Sequence, residues 1–418
     1  MMIKRGLLNR LISHLKAKEI SLIVGARQVG KTTVMKELLN LLKKNGEKTV
    51  FLNLDFESDK KFFTNQELLL NKLELEIGKS GYVFIDEIQR KENAGLFLKG
   101  IFDLTLPYKF IVSGSGSLEL KEKIQESLTG RKRIFEMFPV TFKEFVNYST
   151  NYKYENQLDS FFELEKDKTE ILLHKYLSYG GYPRIVTEEN IIEKKALINE
   201  IFRSYIEKDI VSLLNIDMPD SFSQMIRILA GQTGRLLNYS QLASAIGFST
   251  ATLKKYLWYA EKTFIVNTLH PYYSNSVKEL TKSKTVYFYD HGLRNFSNNS
   301  FKMLESHNEL GFVFQNFVKN LLEQNIGEKS WRLNFWRTTD KAEVDFVIDK
   351  GDELIPVEVK YSIRNDMSIK RSLRSFVEKY SPGKALVINR NYSGTFKLDK
   401  TEIIFLPYYK LLTTDQLE

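Results

Sequence analysis

Cysteine is absent from the 418 residues, and histidine occurs only five times. Without a thiol the chain can form no disulfide, no thiolate zinc site and no cysteine nucleophile. The histidines are scattered without the short spacing of metal ligands; they are His14, His174, His270, His291 and His307. These absences favour a cytoplasmic location.

Long apolar runs are also missing, since none approaches the ~18 residues that a membrane span needs. We therefore predict no membrane partner. The chain is long for one hydrophobic core, and its 43% hydrophobic and 27% charged residues are typical of globular proteins, so we expect about two to four domains. A net charge of +9 favours polyanionic partners, although solvated lysines alone also give such a balance.

A phosphate-binding loop is the most specific pattern in the chain. An apolar run ends at Gly25, and Gly30-Lys31-Thr32 then opens a helical pattern. This spacing suits a nucleoside triphosphate, because glycines let the loop wrap closely and the helix N-terminus favours phosphate. Lys31 would reach the β- and γ-phosphates, and the Thr32 hydroxyl would bind Mg²⁺. The predicted binding residues are Gly25, Ala26, Arg27, Gln28, Val29, Gly30, Lys31, Thr32 and Thr33.

A second nucleotide motif follows about fifty residues later. The apolar segment Tyr82 to Ile85 ends in Asp86 and Glu87, and the carboxyl ends of strands are where open α/β sheets bind ligands. Asp86 would hold Mg²⁺, directly or through water. Glu87 would orient and deprotonate the attacking water. An apolar strand followed by Asp-Glu is common by itself, and its place after the loop makes it informative.

Two later segments carry candidates for contact with the γ-phosphate. The apolar segment Lys109 to Val112 leads into a serine-glycine run. A polar side chain there can contact the γ-phosphate or the attacking water; Ser113 is the first choice and Ser115 the second, while Ser117 is predicted to lie in a flexible turn. Arg131 precedes the next strand, where its guanidinium could stabilise the transferred phosphoryl group of its own or a neighbouring subunit. The alternative is a solvated arginine.

The patterns divide the chain into four predicted domains. Residues 1–140 form the P-loop core, and the helical residues 141–215 form a lid beside the nucleotide. Residues 216–275 form a winged-helix domain, since two short apolar faces are separated by Gly247-Phe248-Ser249. Its outer side would carry residue types that suit phosphate or base-edge contacts, namely Thr250, Thr252, Lys254 and Lys255. Winged helices also dock proteins, so both partners stay open.

Residues 276–418 are predicted to form an α/β domain with a second acidic site. Asp345 lies on one predicted strand, and Glu358 and Lys360 share a face of the next strand because successive side chains alternate. Aspartate beside Glu-x-Lys is the restriction-endonuclease-like arrangement, in which two carboxylates hold Mg²⁺ and the lysine positions or activates water. The alternative is a surface hairpin with three charges on its polar face.

Several motifs, in this order, resemble a family of bacterial and archaeal AAA-type ATPases with a C-terminal domain of unknown function 4143. They span essentially the whole chain: GARQVGKTT, FIDEIQ, SGSGSLEL, SLTGR before MFPVTFKEF, YGGYPR, NYSQLASAIGFSTATLKKYL, VYFYDHGLR and EVDF…IPVEVK. The resemblance implies an α/β multidomain fold: a P-loop NTPase (AAA-like) parallel sheet with a helical lid, a winged helix and a restriction-endonuclease-like PD-(D/E)xK domain. Gln315 departs from the glutamate that family members often carry, and a neutral amide is a poorer Mg²⁺ ligand.

We therefore predict an ATP-binding protein with Mg²⁺-dependent ATPase activity, coupled to a winged-helix and nuclease-like region that engages nucleic acid, DNA rather than RNA. One alternative is an ATP-gated, metal-dependent nuclease that cuts at Asp345, Glu358 and Lys360. Another is a non-catalytic switch, in which ATP locks a conformation that binds a protein partner. The predicted cofactors are ATP and Mg²⁺. A homo-oligomer would allow an arginine to act on the neighbouring subunit.

Overall fold

Two large β-sheets, flanked by helices, organise the protein. The structure is a computed structural model that describes residues 2–115, 128–210, 219–273, 283–301, 307–327, 329–363, 366–413 and 416–417. No helix in these ranges combines the length and the apolar composition that crossing a bilayer requires.

The first sheet is entirely parallel. Its strands are β1 (Ile20–Gly25), β2 (Thr49–Asn53), β3 (Gly81–Asp86), β4 (Tyr108–Ser115) and β5 (Lys132–Glu136). Their order is β2-β3-β4-β1-β5. Parallel neighbours need long crossovers, and helices lie along this part of the chain: α1 (Leu7–Ser13), α2 (Lys31–Lys44), α3 (Glu57–Lys60), α4 (Gln66–Ile77) and α5 (Ala94–Asp103). The predicted parallel α/β sheet is confirmed.

The strand register brings the predicted nucleotide residues to one edge of this sheet. Ile23 of β1 pairs with Ser113 of β4, and Asn53 of β2 pairs with Asp86 of β3. Strand β1 is buried along its whole length, as expected for a central strand covered on both faces. Its carboxyl end, at Gly25, therefore opens onto the edge where α/β sheets bind ligands.

The middle of the chain is helical as far as it is described. Its helices are α6 (Phe142–Ser149), α7 (Leu158–Leu164), α8 (Lys166–Tyr179), α9 (Pro183–Thr187) and α10 (Ile191–Ile201), followed by the π-helical segment Phe202–Ile210. Buried rings of α6 to α8 share one apolar cluster with the C-terminal sheet, where Phe142 contacts Phe317 and Tyr408. Much of the predicted lid therefore packs on the C-terminal half of the protein.

A helix-turn-helix follows, with a strand pair behind it. The elements are α11 (Pro219–Gly231), α12 (Tyr239–Ile246), α13 (Thr250–Lys262), β6 (Val266–Leu269) and β7 (Thr285–Phe288). Gly247 ends α12 with φ 76°, a left-handed conformation that glycine adopts without strain, and Ser249 caps α13 through the Thr252 N–H. Strands β6 and β7 pair antiparallel. The assignment of these elements to a winged-helix domain stays a prediction.

The C-terminal sheet is separate and mixed. Its strands are β8 (Arg332–Arg337), β9 (Glu343–Asp349), β10 (Leu354–Val359), β11 (Lys384–Asn389), β12 (Gly394–Leu398) and β13 (Thr401–Pro407). Their order is β12-β13-β11-β10-β9-β8, with β10, β11 and β13 parallel to one another. The accompanying helices are α14 (His291–Ser297), α15 (His307–Ile326), α16 (Arg371–Tyr380) and α17 (Lys410–Thr413).

A glycine-rich junction joins the helical middle of the chain, around Val140 and Gly181, to the start of α14, around Asp290. Gly181 donates its N–H to Asp290 Oδ2 at 2.7 Å and accepts from the Val140 N–H at 2.7 Å. A Cβ on Gly181 would lie 2.3 Å from the Val140 oxygen, and one on Gly292 would lie 2.2 Å from the Tyr179 oxygen. The backbones are therefore in direct contact, and no larger residue fits without a shift.

We expect Gly181→Ala to lower the free energy of unfolding by about 3 kcal/mol, the upper range for an overpacked interior. Gly311→Ala is the matched control, because its Cβ meets no atom within 4 Å in α15 and alanine favours a helix by up to about 1 kcal/mol. Urea unfolding of the two variants measures the difference. Equal stability of both would show that the junction is not tightly packed in solution.

Candidate functional site

The loop between β1 and α2 has the geometry of a phosphate-binding loop. Gln28 and Gly30 take left-handed conformations, with φ 61° and 101°. Gly25 allows a close approach, since a Cβ there would lie 2.3 Å from the Met137 oxygen. The N-terminus of α2 lies directly behind the loop, so its free N–H groups and helix dipole favour an anion.

Lys31 lies buried beneath this loop. It is 5% exposed, and its ammonium donates to the oxygens of Gly25 (3.1 Å) and Ala26 (2.7 Å). Burial lowers the pKa of Lys31 to about 8, opposed by the charges of Glu87 and Asp86. A buried ammonium group is costly unless an opposite charge pairs with it, and the phosphates of a bound triphosphate would supply that charge.

Asp86 connects the loop helix to two strand ends. The Thr32 hydroxyl donates to Asp86 Oδ2 at 2.6 Å, and the Ser113 hydroxyl donates to Asp86 Oδ1. The Asp86 side chain is 1% exposed. A hydroxyl and a carboxylate are the oxygen ligands that Mg²⁺ takes in P-loop sites, so Thr32 and Asp86 fit this ion. Ser113 touches Asp86, and its predicted contact with the γ-phosphate stays a prediction.

Glu87 follows Asp86 in a strained conformation. Its φ of 57° is uncommon for a residue with a side chain, and such outliers collect at functional sites. Gln89 Nε2 donates to its carboxylate. Burial raises the pKa of Glu87, which Lys31 opposes and Asp86 reinforces. The carboxyl group is therefore more basic than an exposed glutamate, which suits a group that must accept a proton.

Arg131 lies away from the phosphate-binding loop, contrary to its predicted role at the γ-phosphate of its own subunit. Its oxygen accepts from the Ile20 N–H at the start of β1, and its Nε lies 2.6 Å from Asp103 Oδ1. Strands β1 and β5 are parallel and the loop leaves β1 at Gly25, so Arg131 lies at the opposite edge of the sheet. It does not reach the phosphates of its own subunit, and a role toward a neighbouring subunit stays a prediction.

The other predicted binding residues lie on or beside the loop. Arg27 is partly buried, and Gln28 and Thr33 are exposed. Ser115 is the last residue of β4. Ser117 lies outside the described residues.

Arg5 supports the loop from behind and was not predicted. It is 8% exposed, and its guanidinium donates to the oxygens of Val29 and Phe138 at 2.7 Å each and to Glu144 Oε2 at 3.1 Å. Arg5 thus ties the loop to the start of α6. No motif marks it, because the arginine and its acceptors are distant in sequence.

The glycine turn after α8 also reaches the loop. Pro183 begins α9, and its Cγ would lie 3.8 Å from a Cβ on Gly30. Two residues earlier, Gly181 holds Asp290, which also accepts from the Leu293 N–H at 2.9 Å. Burial raises the pKa of Asp290 to about 6 despite these backbone donors. The turn that lies beside Gly30 of the loop is therefore also hydrogen-bonded to Asp290.

The second acidic site forms on the C-terminal sheet, where the predicted residues come together. Asp345 Oδ2 accepts from the Val359 N–H at 2.7 Å, and Lys360 Nζ lies 2.8 Å from Glu358 Oε1. Glu358 is 1% exposed, which disfavours a solvated surface hairpin. Gln315 of α15 donates to Asp345 Oδ1 at 3.2 Å. Burial, and then the charge of Glu358, raises the pKa of Asp345.

Lys370 completes this site and was not predicted. Its Nζ lies 2.5 Å from Glu358 Oε1, so Glu358 pairs with two lysines. Burial lowers the pKa of Lys370, but the charges of Asp345 and Glu358 outweigh burial and raise it. Lys370 lies ten residues after Lys360, and no sequence pattern links it to the Glu358-x-Lys360 motif. The fold places its side chain next to Glu358.

The helix-turn-helix presents lysines beside aromatic rings. Lys254 and Lys255 of α13 are exposed, and their ammonium groups each lie 5.6 Å from a ring centroid, of Tyr239 and Tyr259 respectively. Lys262 lies 5.6 Å from the Trp258 ring. Such contacts hold a flexible cation in place without neutralising its charge.

The parallel sheet and its loop define a P-loop nucleotide-binding fold. Comparison with family models is more specific: residues 17–146 match an AAA domain, residues 170–304 a domain of unknown function (DUF8612) and residues 310–410 a domain of unknown function (DUF4143). The chain therefore combines an AAA domain with the C-terminal domain of unknown function 4143, and the predicted resemblance is confirmed.

Similar proteins occur in bacteria and archaea. An uncharacterized protein of Haemophilus influenzae is 24% identical over 97% of this chain and 98% of its own length. One of Methanocaldococcus jannaschii is 26% identical over 97% and 91%. Among solved structures, the Walker-type ATPase of Pyrococcus abyssi covers 71% of this chain and 96% of its own at 16% identity, with a TM-score of 0.42. The Aeropyrum pernix Orc1 protein in complex with DNA covers 74% and 95% at 13% identity, with a TM-score of 0.34.

Proposed function

We propose that the protein binds ATP with Mg²⁺ and hydrolyses it, and that this cycle controls a nucleic-acid-binding surface on the helix-turn-helix. The observation that carries the proposal is the contact of Thr32 and Ser113 with Asp86 beside a buried Lys31. These side chains come from three separate segments. Their convergence at the end of a phosphate-binding loop supports triphosphate chemistry over a structural glycine loop.

Each residue has a defined task in the proposed reaction. The loop N–H groups and Lys31 hold the β- and γ-phosphates. Thr32 and Asp86 would hold Mg²⁺, which supplies charge neutralisation to the transferred phosphoryl group. Ser113 orients Asp86, and Glu87 accepts the proton of the attacking water. Within one subunit no role falls to Arg131.

We propose that nucleotide binding at the loop acts on the C-terminal half through the glycine-rich junction at Gly181. Pro183 lies beside Gly30 of the loop, and the same turn is bonded to Asp290 through Gly181. A change in the loop upon nucleotide binding would therefore act next to the closely packed backbone at Gly181. The position of these residues supports coupling between nucleotide binding and the helix-turn-helix. A nucleotide-dependent change in nucleic-acid affinity would demonstrate that coupling.

ATP turnover should be measured with and without DNA and RNA, with the integrity of the nucleic acid checked in the same tubes. Stimulated turnover with intact nucleic acid is the expected result. Cutting would instead favour an ATP-gated nuclease. The absence of both turnover and nucleic-acid binding, with a protein partner recovered only in ATP, would favour a non-catalytic switch.

The lysines of α13 give a prediction for nucleic-acid binding. Replacing Lys254 and Lys255 together by alanine should weaken binding about equally across sequences and lower the salt slope by about 2, if each contacts one phosphate. The control is Lys43→Ala with Lys44→Ala, which removes the same charge from the exposed end of α2. Titrations at several salt concentrations measure both slopes. An identical loss in both double variants would mean that only net charge matters.

A further inference from the structure

We propose that the ammonium group of Lys370 is a built-in cation of the C-terminal acidic site, and that it excludes a divalent metal ion from Asp345 and Glu358. The proposal concerns only the C-terminal sheet and is independent of ATP hydrolysis. It makes the described conformation inactive as a metal-dependent nuclease.

Glu358 is the first reason. Its carboxylate is 1% exposed, and both Lys360 (2.8 Å) and Lys370 (2.5 Å) approach the same oxygen, Oε1. A buried carboxylate needs a nearby counter-charge, and these two lysines supply it at Oε1, whereas Oε2 has no hydrogen-bond partner among the described residues. A metal ion at Oε1 of Glu358 would therefore have to displace an ammonium group that the site already holds.

Asp345 is the second reason. One of its oxygens accepts from the Val359 N–H at 2.7 Å, and the other from Gln315 Nε2 at 3.2 Å. Gln315 is itself enclosed: its Nε2 also donates to the Tyr287 hydroxyl at 3.3 Å, and a Cβ on Gly234 would lie 2.9 Å from its Oε1. The amide therefore serves Asp345 as a donor, where a carboxylate would have been a metal ligand.

The charge balance agrees with this assignment. Two carboxylates and two ammonium groups sum to zero, whereas Mg²⁺ and Mn²⁺ prefer sites with excess negative oxygen ligands. The carboxylates of Asp345 and Glu358 therefore do not fit a divalent metal ion while the ammonium group of Lys370 is in place. Lys370 is nevertheless replaceable: its side chain is 49% exposed, compared with 20% for Lys360, and it directly precedes α16, three residues after the exposed Met367. Lys370 can leave without opening the core.

The test is Mn²⁺ binding to the full-length protein without nucleotide, by calorimetry and by the electron paramagnetic resonance signal of free Mn²⁺. Lys370→Met should bind Mn²⁺ at least tenfold more tightly than the wild type, and Asp345→Asn in the same chain should abolish the gain. Lys370→Met with Gln315→Glu should bind more tightly still. Lys379→Met is the control, since it removes the same charge from an exposed position of α16.

Two results would overturn the proposal. In the first, the wild type and Lys370→Met bind Mn²⁺ with equal affinity, and both lose the binding when Asp345→Asn is added. Lys370 would then not exclude a metal ion from the site. A folded double variant, Lys370→Met with Gln315→Glu, that binds no Mn²⁺ would mean that the carboxylates are no metal site even without the lysine. Lys370→Gln, which keeps a donor for Glu358, replaces Lys370→Met if circular dichroism shows that variant unfolded. Since no nucleotide is present, neither result bears on ATP hydrolysis.

Discussion

Replacing Lys31 by alanine should reduce ATP turnover by about 100-fold or more, the range seen when one preorganised charge-stabilising donor is removed. Lys31 is a buried cation beneath the loop, and among the described residues its ammonium donates to the Gly25 and Ala26 oxygens. Alanine removes the only charge at this position that can meet the β- and γ-phosphates. Steady-state phosphate release and direct ATP-binding measurements should both show the loss.

The same variant has a predicted signature in stability. The pKa of Lys31 is lowered from its ordinary value of 10.5 to about 8, so between these pH values the unfolded chain binds the extra proton. Lys31 therefore contributes about 3 kcal/mol to a rise with pH in the free energy of unfolding of the nucleotide-free wild type through this window. Lys31→Ala should lack that contribution, while Lys109 and Lys132, whose pKa values burial also lowers to about 8, keep theirs in both proteins. Comparing unfolding curves of the two proteins from pH 7.5 to 10.5 isolates Lys31 from the other lysines.

Lys36→Ala is the matched control, because Lys36 is exposed on the same helix. It should keep both ATP turnover and the pH-dependent rise in stability. Undiminished turnover in Lys31→Ala would remove the phosphate-binding assignment of the loop. A normal stability rise in Lys31→Ala would instead show that Lys31 is not buried as a costly charge.

The nucleotide site was predictable because its signals are local. The run from β1 into Gly30-Lys31-Thr32 specifies strand, loop and helix within a few residues, and Asp86-Glu87 ends a strand whose apolar pattern is visible in the sequence. Parallel pairing then brings Asp86 and Ser113 to the loop without further information. The C-terminal motif Glu358-x-Lys360 was predictable for the same reason.

The missed residues act over long sequence separations. Arg5 holds Val29 and Phe138, Asp290 holds Gly181, and Lys370 reaches Glu358. None has a periodicity or a neighbouring partner that would set it apart from an ordinary charged residue. The strand β12 was missed because its alternating, half-exposed residues gave no apolar run. Arg131 was misplaced for a related reason, since the sequence shows that it precedes a strand but not which edge of the sheet that strand begins from.

Glu87→Gln is expected to keep ATP binding but to lower the turnover number by about 10²–10⁴-fold, the contribution of a general base. Glutamine has the same shape and can still accept from Gln89, so the loop and Asp86 should stay in place. It cannot take the proton from water. Single-turnover hydrolysis and ATP-binding titrations of the same preparation separate the two effects.

The pH dependence of the wild type gives an independent check. Burial raises the pKa of Glu87 above its ordinary value of 4.5, so the active carboxylate should be lost at a higher pH than for an exposed glutamate. Turnover should fall as the pH is lowered through that raised pKa. The residual activity of Glu87→Gln should not follow the same curve. Glu92→Gln, an exposed change five residues along the chain, should behave as the wild type.

Glu87→Gln also decides whether hydrolysis or binding controls the helix-turn-helix. Because this variant should hold ATP without consuming it, its affinity for nucleic acid in ATP reports the ATP-bound state alone. If the contacts from Gly30 through Pro183 and Gly181 to Asp290 transmit nucleotide occupancy, ATP should change that affinity in Glu87→Gln but not in Lys31→Ala. Full turnover in Glu87→Gln would instead assign the proton transfer to another group and leave the strained backbone at Glu87 without a catalytic explanation.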